Sequence, residues 1–249
     1  MKIKTLPHPY RKWTLFCLMV SFSVNAIADK NKDIILKGGF NISNVYGYHN
    51  YYFGPNFGFN LGVYTQKNIA DRISIKLGIE YTKLGTQFDV IDNTNGFRNI
   101  RERHQFNFLM FPIIFGYSVG KKTNLEVGMQ LGYFLGQRLK SRFTFSDPQK
   151  PDSVYMHIAR GEWDQKTFNN GSNYHFSPIR VALHLGVNFK IKPQWSLHFA
   201  ILGDATDMVR SMPSNSIFAP INQTNLVLSN FSFQSSVCYY LKKSDKAEK

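Results

Sequence analysis

Three observations predict an all-β chain folded as an eight-stranded antiparallel transmembrane β-barrel, an up-and-down meander. Candidate strands are joined by alternately long and short connections, the strands alternate apolar with polar side chains, and no stretch after Val24 suits a transmembrane helix. The gaps cover residues 43–55, 67–71, 85–103, 118–122, 138–178, 192–194 and 205–229. An even strand count with every second connection tight puts both chain ends and all short turns on one side of a membrane. A closed barrel also pairs every backbone group between strands, as hydrocarbon demands.

The first 28 residues are set aside from the fold. Lys2, Lys4, Arg11 and Lys12 form a basic leader, residues 13–24 an apolar run, and Ala26-Ile27-Ala28 a small-x-small cleavage site, so residues 1–28 read as a secretory signal peptide. The apolar run is well short of the ~20 residues that span a bilayer as a helix. Cys17 lies inside it and is followed by Leu18-Met19-Val20, unlike a lipoprotein cleavage site. The chain from Asp29 onward then holds one cysteine, Cys238, and no internal disulfide can brace the fold.

The barrel is expected to occupy residues 29–241. Its first two strands are residues 34–42 and 57–64. In the third, Ile73, Ile75, Leu77, Ile79 and Tyr81 oppose Ser74, Lys76, Gly78, Glu80 and Thr82. The fourth, residues 105–117, is apolar on both faces. Leu109, Phe111, Ile113, Phe115 and Tyr117 are assigned outward and Met110, Pro112, Ile114 and Gly116 inward, with Pro112 marking a bulge or an unpaired position. In the fifth, Leu125, Val127, Met129, Leu131, Tyr133 and Leu135 oppose Glu126, Gly128, Gln130, Gly132, Phe134 and Gly136. Next, Val181, Leu183, Leu185, Val187 and Phe189 oppose Arg180, Ala182, His184, Gly186, Asn188 and Lys190; residues 195–202 and 231–241 complete the set. Each is close to the ~9–11 residues a tilted strand needs to cross hydrocarbon.

Alternation alone does not separate a membrane barrel from a soluble one; the composition of the two faces does. Gly58, Gly62, Gly78, Gly128, Gly132, Gly136 and Gly186 all fall on the polar parity. On a water-facing surface they would only weaken the strands, whereas the narrow interior of an eight-stranded barrel needs small residues beside large ones. The apolar face therefore points to lipid. Tyr117, Trp195 and Tyr239 lie on it beside the short turns and Tyr81 and Tyr133 towards the long loops, as two interfacial girdles.

The chain resembles the PorT-like outer-membrane β-barrel family. The resemblance rests on Gly38-Gly39-Phe40-Asn41-Ile42-Ser43-Asn44, Gly58-Phe59-Asn60-Leu61-Gly62-Val63-Tyr64, the segment Phe108-Leu109-Met110-Phe111-Pro112-Ile113-Ile114-Phe115-Gly116-Tyr117 and the fifth strand. It covers nearly all of the chain after the leader and implies a Gram-negative outer-membrane location; some members of that family are implicated in protein secretion across the outer membrane. Outer-membrane barrels often end on an aromatic residue, whereas this chain continues past Tyr239-Tyr240-Leu241 into a basic periplasmic tail, residues 242–249.

Inward parity gathers Lys76, Glu80, Glu126, Gln130, Arg180, His184, Asn188 and His198. Unpaired charges in so narrow a space are costly, so these are expected to pair across the lumen and fill it. A narrow channel is the rival reading. A lipid-modifying enzyme needs a nucleophile, a base and an orienting acid near the loops. His157, Glu162, Asp164, His175 and Ser177 supply the types without a recognisable spacing, and no activity is expected. No cofactor is expected, and no metal, since no His/Cys/Asp cluster has ligand spacing along the chain.

Function is therefore sought in the loops. Residues 138–178 far exceed what a strand connection needs. Residues 140–146 and 153–159 read as a hairpin above the membrane, or, if it crosses, as two further strands of a ten-stranded alternative; residues 160–173 read as irregular. Tyr48, Tyr51, Tyr52 and Trp163 are the candidate loop binding residues. Setting the leader aside lowers the formal charge from +14 to about +10, and the remaining Lys and Arg are scattered over loops, turns and tail, which suits anionic lipid and lipopolysaccharide and argues against a nucleic-acid face. A surface or periplasmic protein is the other partner expected. The resulting expectation is a structural or interaction role through the loops, with secretion accessory, narrow channel and lipid-modifying enzyme as alternatives.

Overall fold

A computed structural model describes residues 33–46, 52–90, 97–145, 153–160, 164–166, 173–176, 179–206, 209–211 and 229–241. They form twelve strands: β1 Asp33–Tyr46, β2 Tyr52–Ala70, β3 Ile73–Val90, β4 Phe97–Ser118, β5 Thr123–Phe145, β6 Ser153–Arg160, β7 Asp164–Lys166, β8 Asn173–Phe176, β9 Ile179–Lys192, β10 Trp195–Asp204, β11 Val209–Ser211 and β12 Ser229–Leu241. Eight of them, in the order β1-β2-β3-β4-β5-β9-β10-β12, pair with their neighbours and close on themselves. Every ladder is antiparallel, and the ring is completed by β1 against β12, from Ile34↔Leu241 to Tyr46↔Ser229. The fold is a closed eight-stranded antiparallel β-barrel; the ten-stranded alternative is not adopted.

Residues 1–28, expected to be a signal peptide, and residues 242–249, expected to be a periplasmic tail, lie outside the described residues. Several strands are longer than the sequence pattern suggested. β4 and β5 run for 22 and 23 residues and stay paired from Phe97↔Phe145 to Ser118↔Asn124. A crossing needs only ~9–11 residues. Their outer halves therefore project past the apolar belt on the long-loop side, and β6 joins only that part, from Gly136↔Arg160 to Phe143↔Ser153. Backbone pairing does not stop where hydrocarbon stops, which is why side-chain parity placed these strand ends too early. Residues 160–173, read as irregular, contain β7, which pairs with β8 at and just beyond their end, and β11 joins the two in a second small sheet.

Two irregularities have local causes. Pro112 has no N–H to give, and the β3–β4 ladder skips from Leu77↔Ile113 to Glu80↔Met110. In β5 the register with β4 steps from Asn107↔Gly136 to Phe108↔Phe134, so one extra residue, Leu135, is accommodated at a bulge. Gly136 adopts φ 154° there, a conformation that a residue with a Cβ rarely takes.

Burial is inverted relative to a water-soluble protein. Phe40 and Phe57 are 75 % and 72 % exposed, and Leu61, Leu125, Val127, Leu183, Leu185, Phe231 and Val237 are also exposed. Lys37, Lys76, Glu80, Glu126, Gln130, Arg180, His184, Gln234 and a series of Asn, Ser and Thr residues are buried. Outside such a barrel must be an apolar solvent. Phe111 keeps the outward parity, opposite Leu131 in the ladder, yet is only 5 % exposed.

Candidate functional site in the barrel lumen

Inside the barrel, parity and register decide which side chains meet. Residues 35, 37, 41 and 43 of β1 point inward, as do 74, 76, 78, 80 and 82 of β3, and the glycines between them make the holes that large side chains fill. The ring of Tyr64 lies against Gly62 and Gly78, Met110 and Arg180 lie against Gly132, and the rings of His184 and His198 converge over Gly186.

The first polar cluster centres on Glu80. Lys37 Nζ sits 2.9 Å from Glu80 Oε2, with both side chains almost wholly enclosed. Tyr64 donates its hydroxyl proton to the same oxygen. Gln234 Nε2 donates to Oε1 at 3.4 Å and Asn60 Nδ2 to Oε2 at 3.5 Å. Lys37 in turn donates to Gln234 Oε1 at 3.1 Å. Three strands, β1, β2 and β12, thus supply four donors to one carboxylate, which is how a fully buried charge is made tolerable.

The second cluster centres on Glu126. Lys76 Nζ donates to Oε1 at 2.5 Å. Oε2 faces two histidines, with His198 Nε2 at 3.3 Å and His184 Nε2 at 3.8 Å. The histidine rings stack with centroids 5.5 Å apart, and Gln130 Nε2 lies 3.1 Å from His184 Nδ1. The third cluster is at the long-loop end. Arg180 Nε donates to Asp204 Oδ1 at 2.5 Å, Asp204 Oδ2 accepts the Asn230 backbone N–H at 3.1 Å, and the guanidinium lies 5.4 Å over the Phe108 ring.

Two spaces flank these clusters. A vestibule of about 440 Å³ opens between the short turns, lined in part by Asp33, Gln66, Lys121, Lys122, Lys190 and Tyr240. It reaches Asn188, whose Nδ2 donates to the Tyr240 hydroxyl at 3.4 Å. Tyr240 also packs on Ile35, Tyr64, Ile114 and Cys238, beyond which a cavity of about 10 Å³ touches Lys37, Lys76, Glu126 and His198. That volume holds about one water.

The eight residues read from inward parity are all buried, but in separate clusters. Lys76, Glu126, Gln130, His184 and His198 share one; Glu80 anchors another; Arg180 turns to Asp204; Asn188 faces the vestibule. Lys37, Tyr64, Asn60, Gln234 and Asp204 were not singled out from the sequence. Lys37 was legible, since Leu36, Phe40 and Ile42 alternate with Lys37, Asn41 and Ser43. Asp204 lies beyond the apolar alternation, where nothing marks it.

Ligand spacing is absent along the chain, but the fold brings three ligand-type residues together in space. Glu126, His184 and His198 come from three consecutive strands of the barrel, and their ligand atoms lie within 4.8 Å of one another. Strand register, not chain spacing, brings them together: Gly186 is opposite Glu126 on one side and Ala200 on the other.

On the outer face, Tyr117 and Trp195 are 48 % and 45 % exposed, and the Trp195 and Tyr239 rings are 4.7 Å apart. Tyr81 and Tyr133 are partly covered; the Tyr81 hydroxyl donates to Asn107 Oδ1 at 2.7 Å. Tyr48, Tyr51, Trp163, Glu162, Ser177 and the side chains of Tyr52, His157, Asp164 and His175 lie outside the described residues.

Residues 28–203 match the family model described as outer membrane protein beta-barrel domain. No curated protein matches the chain. Similar solved structures include Ail, the attachment invasion locus protein of Yersinia pestis, at 10 % identity, 85 % of this chain, 99 % of that chain and a TM-score of 0.41. Neisserial surface protein A is similar at 10 % identity over 83 % of this chain and 96 % of its own, with a TM-score of 0.42. OprG of Pseudomonas aeruginosa is similar at 14 % identity, 85 % and 97 % coverage and a TM-score of 0.39.

Proposed function

The chain belongs to the outer membrane protein beta-barrel domain family, which makes it an outer-membrane barrel, and from that premise we propose that it is a non-conducting, non-enzymatic one. Its role is structural or interactive, exerted through the long loops. The observation that carries this reading is the saturation of Glu80 by Lys37, Tyr64, Gln234 and Asn60 in the middle of the lumen. A barrel of eight strands is just wide enough for its own side chains, and paired charges in the bore leave no aqueous path.

On this reading the leader is cleaved near Ala28, residues 242–249 hang in the periplasm, and the apolar belt sits in outer-membrane lipid with lipopolysaccharide around the projecting strands. The partner is a surface or periplasmic protein. The resemblance to PorT-like barrels adds a secretion accessory as a second reading, supported by β4, β5 and β6 standing well clear of the belt. Purified protein in planar bilayers is expected to give no stable conductance; steady ion currents would overturn the plugged lumen. Deleting the gene leaves cargo trapped in the periplasm if the barrel serves secretion, and normal export rejects that role. Unchanged lipid A mass spectra in the same strain are expected of a non-enzyme, whereas a lost modification would reverse that assignment.

A further inference from the structure

The lumen contains a ligand set that its charge pairs do not use up. Glu126 Oε1 is taken by Lys76, but Oε2 faces the two histidine Nε2 atoms. Gly186 leaves room beside those nitrogens: a Cβ there would stand 2.9 Å from His184 Nε2 and 3.2 Å from His198 Nε2. His184 is wholly buried, and its Nε2 has no hydrogen-bond partner. A buried polar atom left unpaired is costly and asks for an explanation.

The other nitrogen of that ring supplies a second clue. His184 Nδ1 lies 3.1 Å from the Gln130 amide, and Gln130 Oε1 is itself without a partner. The two ends of an amide differ by a half-turn and are assigned from their surroundings. With Oε1 turned to the ring, His184 donates from Nδ1–H and keeps its Nε2 lone pair directed at the space over Gly186. A metal-ligating histidine is held in this way, its second nitrogen donating to a carbonyl or carboxylate oxygen.

We propose that Glu126 Oε2, His184 Nε2 and His198 Nε2 form a binding site for one divalent transition-metal ion, with the adjacent single-water cavity supplying a fourth ligand. Two imidazoles and one carboxylate suit Zn²⁺ and its neighbours, whereas Ca²⁺ and Mg²⁺ require more oxygen ligands. The ion enters from the short-turn vestibule, past the Asn188–Tyr240 hydrogen bond, because Asn188 is opposite His198 in the β9–β10 ladder. Lys76 is the opposing element. Its ammonium already neutralises Glu126, so it weakens the site and sets the affinity. Removing its charge should tighten binding.

The test uses the mature barrel without a histidine tag, refolded in detergent, stripped with a chelator and titrated with Co²⁺ and Zn²⁺. One Co²⁺ per barrel with the visible spectrum of a four-coordinate nitrogen and oxygen site is expected, displaced by Zn²⁺. Gln130→Leu should weaken binding about 10- to 100-fold, His198→Gln should abolish the spectrum, and Lys76→Met should raise the affinity. Each variant is checked for the heat-dependent gel shift of a folded barrel. No cobalt spectrum in the folded wild type overturns the site even if every variant misfolds. Binding that survives His198→Gln also overturns it, since the metal would then be held by loop residues such as His157 and His175.

Discussion

Lys37 on β1 and Glu80 on β3 meet at 2.9 Å although β2 lies between their strands. Only a lumen narrow enough for side chains to span it permits such a contact, and small residues on β2 make the room: Gly62 sits between, in register with both Lys37 and Glu80. A charged pair enclosed in this way is costly to break.

Glu80→Ala strands Lys37 without its carboxylate in a water-poor space. The expected cost is about 3–5 kcal/mol. The double variant Lys37→Met with Glu80→Ala leaves no buried charge behind and should regain a large part of that loss. Urea unfolding in detergent micelles, followed by the heat-dependent gel shift, measures both. Equal losses in the single and double variants would show that the pair is not what Glu80 contributes.

Steric demand separates two glycines that look alike in the sequence. A Cβ on Gly58 would run into the Lys83 carbonyl oxygen, which is backbone and cannot turn aside. One on Gly120, in the β4–β5 turn, would meet nothing within 4 Å. Gly58→Ala is expected to destabilise by about 1–3 kcal/mol, the usual range for forced overpacking, and Gly120→Ala to leave the unfolding midpoint in place. Equal midpoints for both variants would contradict the close approach of β2 to β3 at that level.

Cys238 is 4 % exposed, inward on β12, beside the small cavity. The sequence holds two cysteines, and if Cys17 leaves with the proposed leader, Cys238 is the one thiol of the barrel. A maleimide reagent should therefore leave the folded band unlabelled and react to completion after heating in detergent. Rapid labelling of the folded band would mean that the vestibule admits reagents past Tyr240.

The parity of β3, β5 and β9 made the inside and the outside legible from sequence, because a period of two is all that a two-faced strand can express. Contacts across the bore were not legible in the same way. Glu126, His184 and His198 are separated by 58 and 14 positions along the chain, and their convergence depends on the register of β5, β9 and β10. Register is written in bulges and turn lengths, which leave little trace in composition. The slip at Leu135 shows this, since its only visible sign is one more glycine, Gly136. Strand ends were misjudged for a related reason. Above the belt the outer face meets water, apolar alternation lapses, and hydrogen bonding alone carries β4 and β5 onward.

The lipid belt makes a graded prediction. Leu185 is 59 % exposed, with Val127 and Ile201 across its two ladders, so its surroundings are apolar on both sides. Trp195 is on the same outer surface but adjoins the Lys192–Trp195 turn. Arginine near the middle of the hydrocarbon costs about 2–4 kcal/mol and falls to ~0–1 kcal/mol at the interface, where the guanidinium reaches water and headgroups. Leu185→Arg should therefore lower the stability of the barrel in phospholipid vesicles by the larger amount and Trp195→Arg by little more than the loss of the Tyr239 ring contact. In water-rich detergent the two penalties should converge, because the apolar slab that creates the gradient is thinner and softer there. A cost for Leu185→Arg that is small in vesicles would place this part of the surface against protein or water, and the inside-out reading of the barrel would fail at β9.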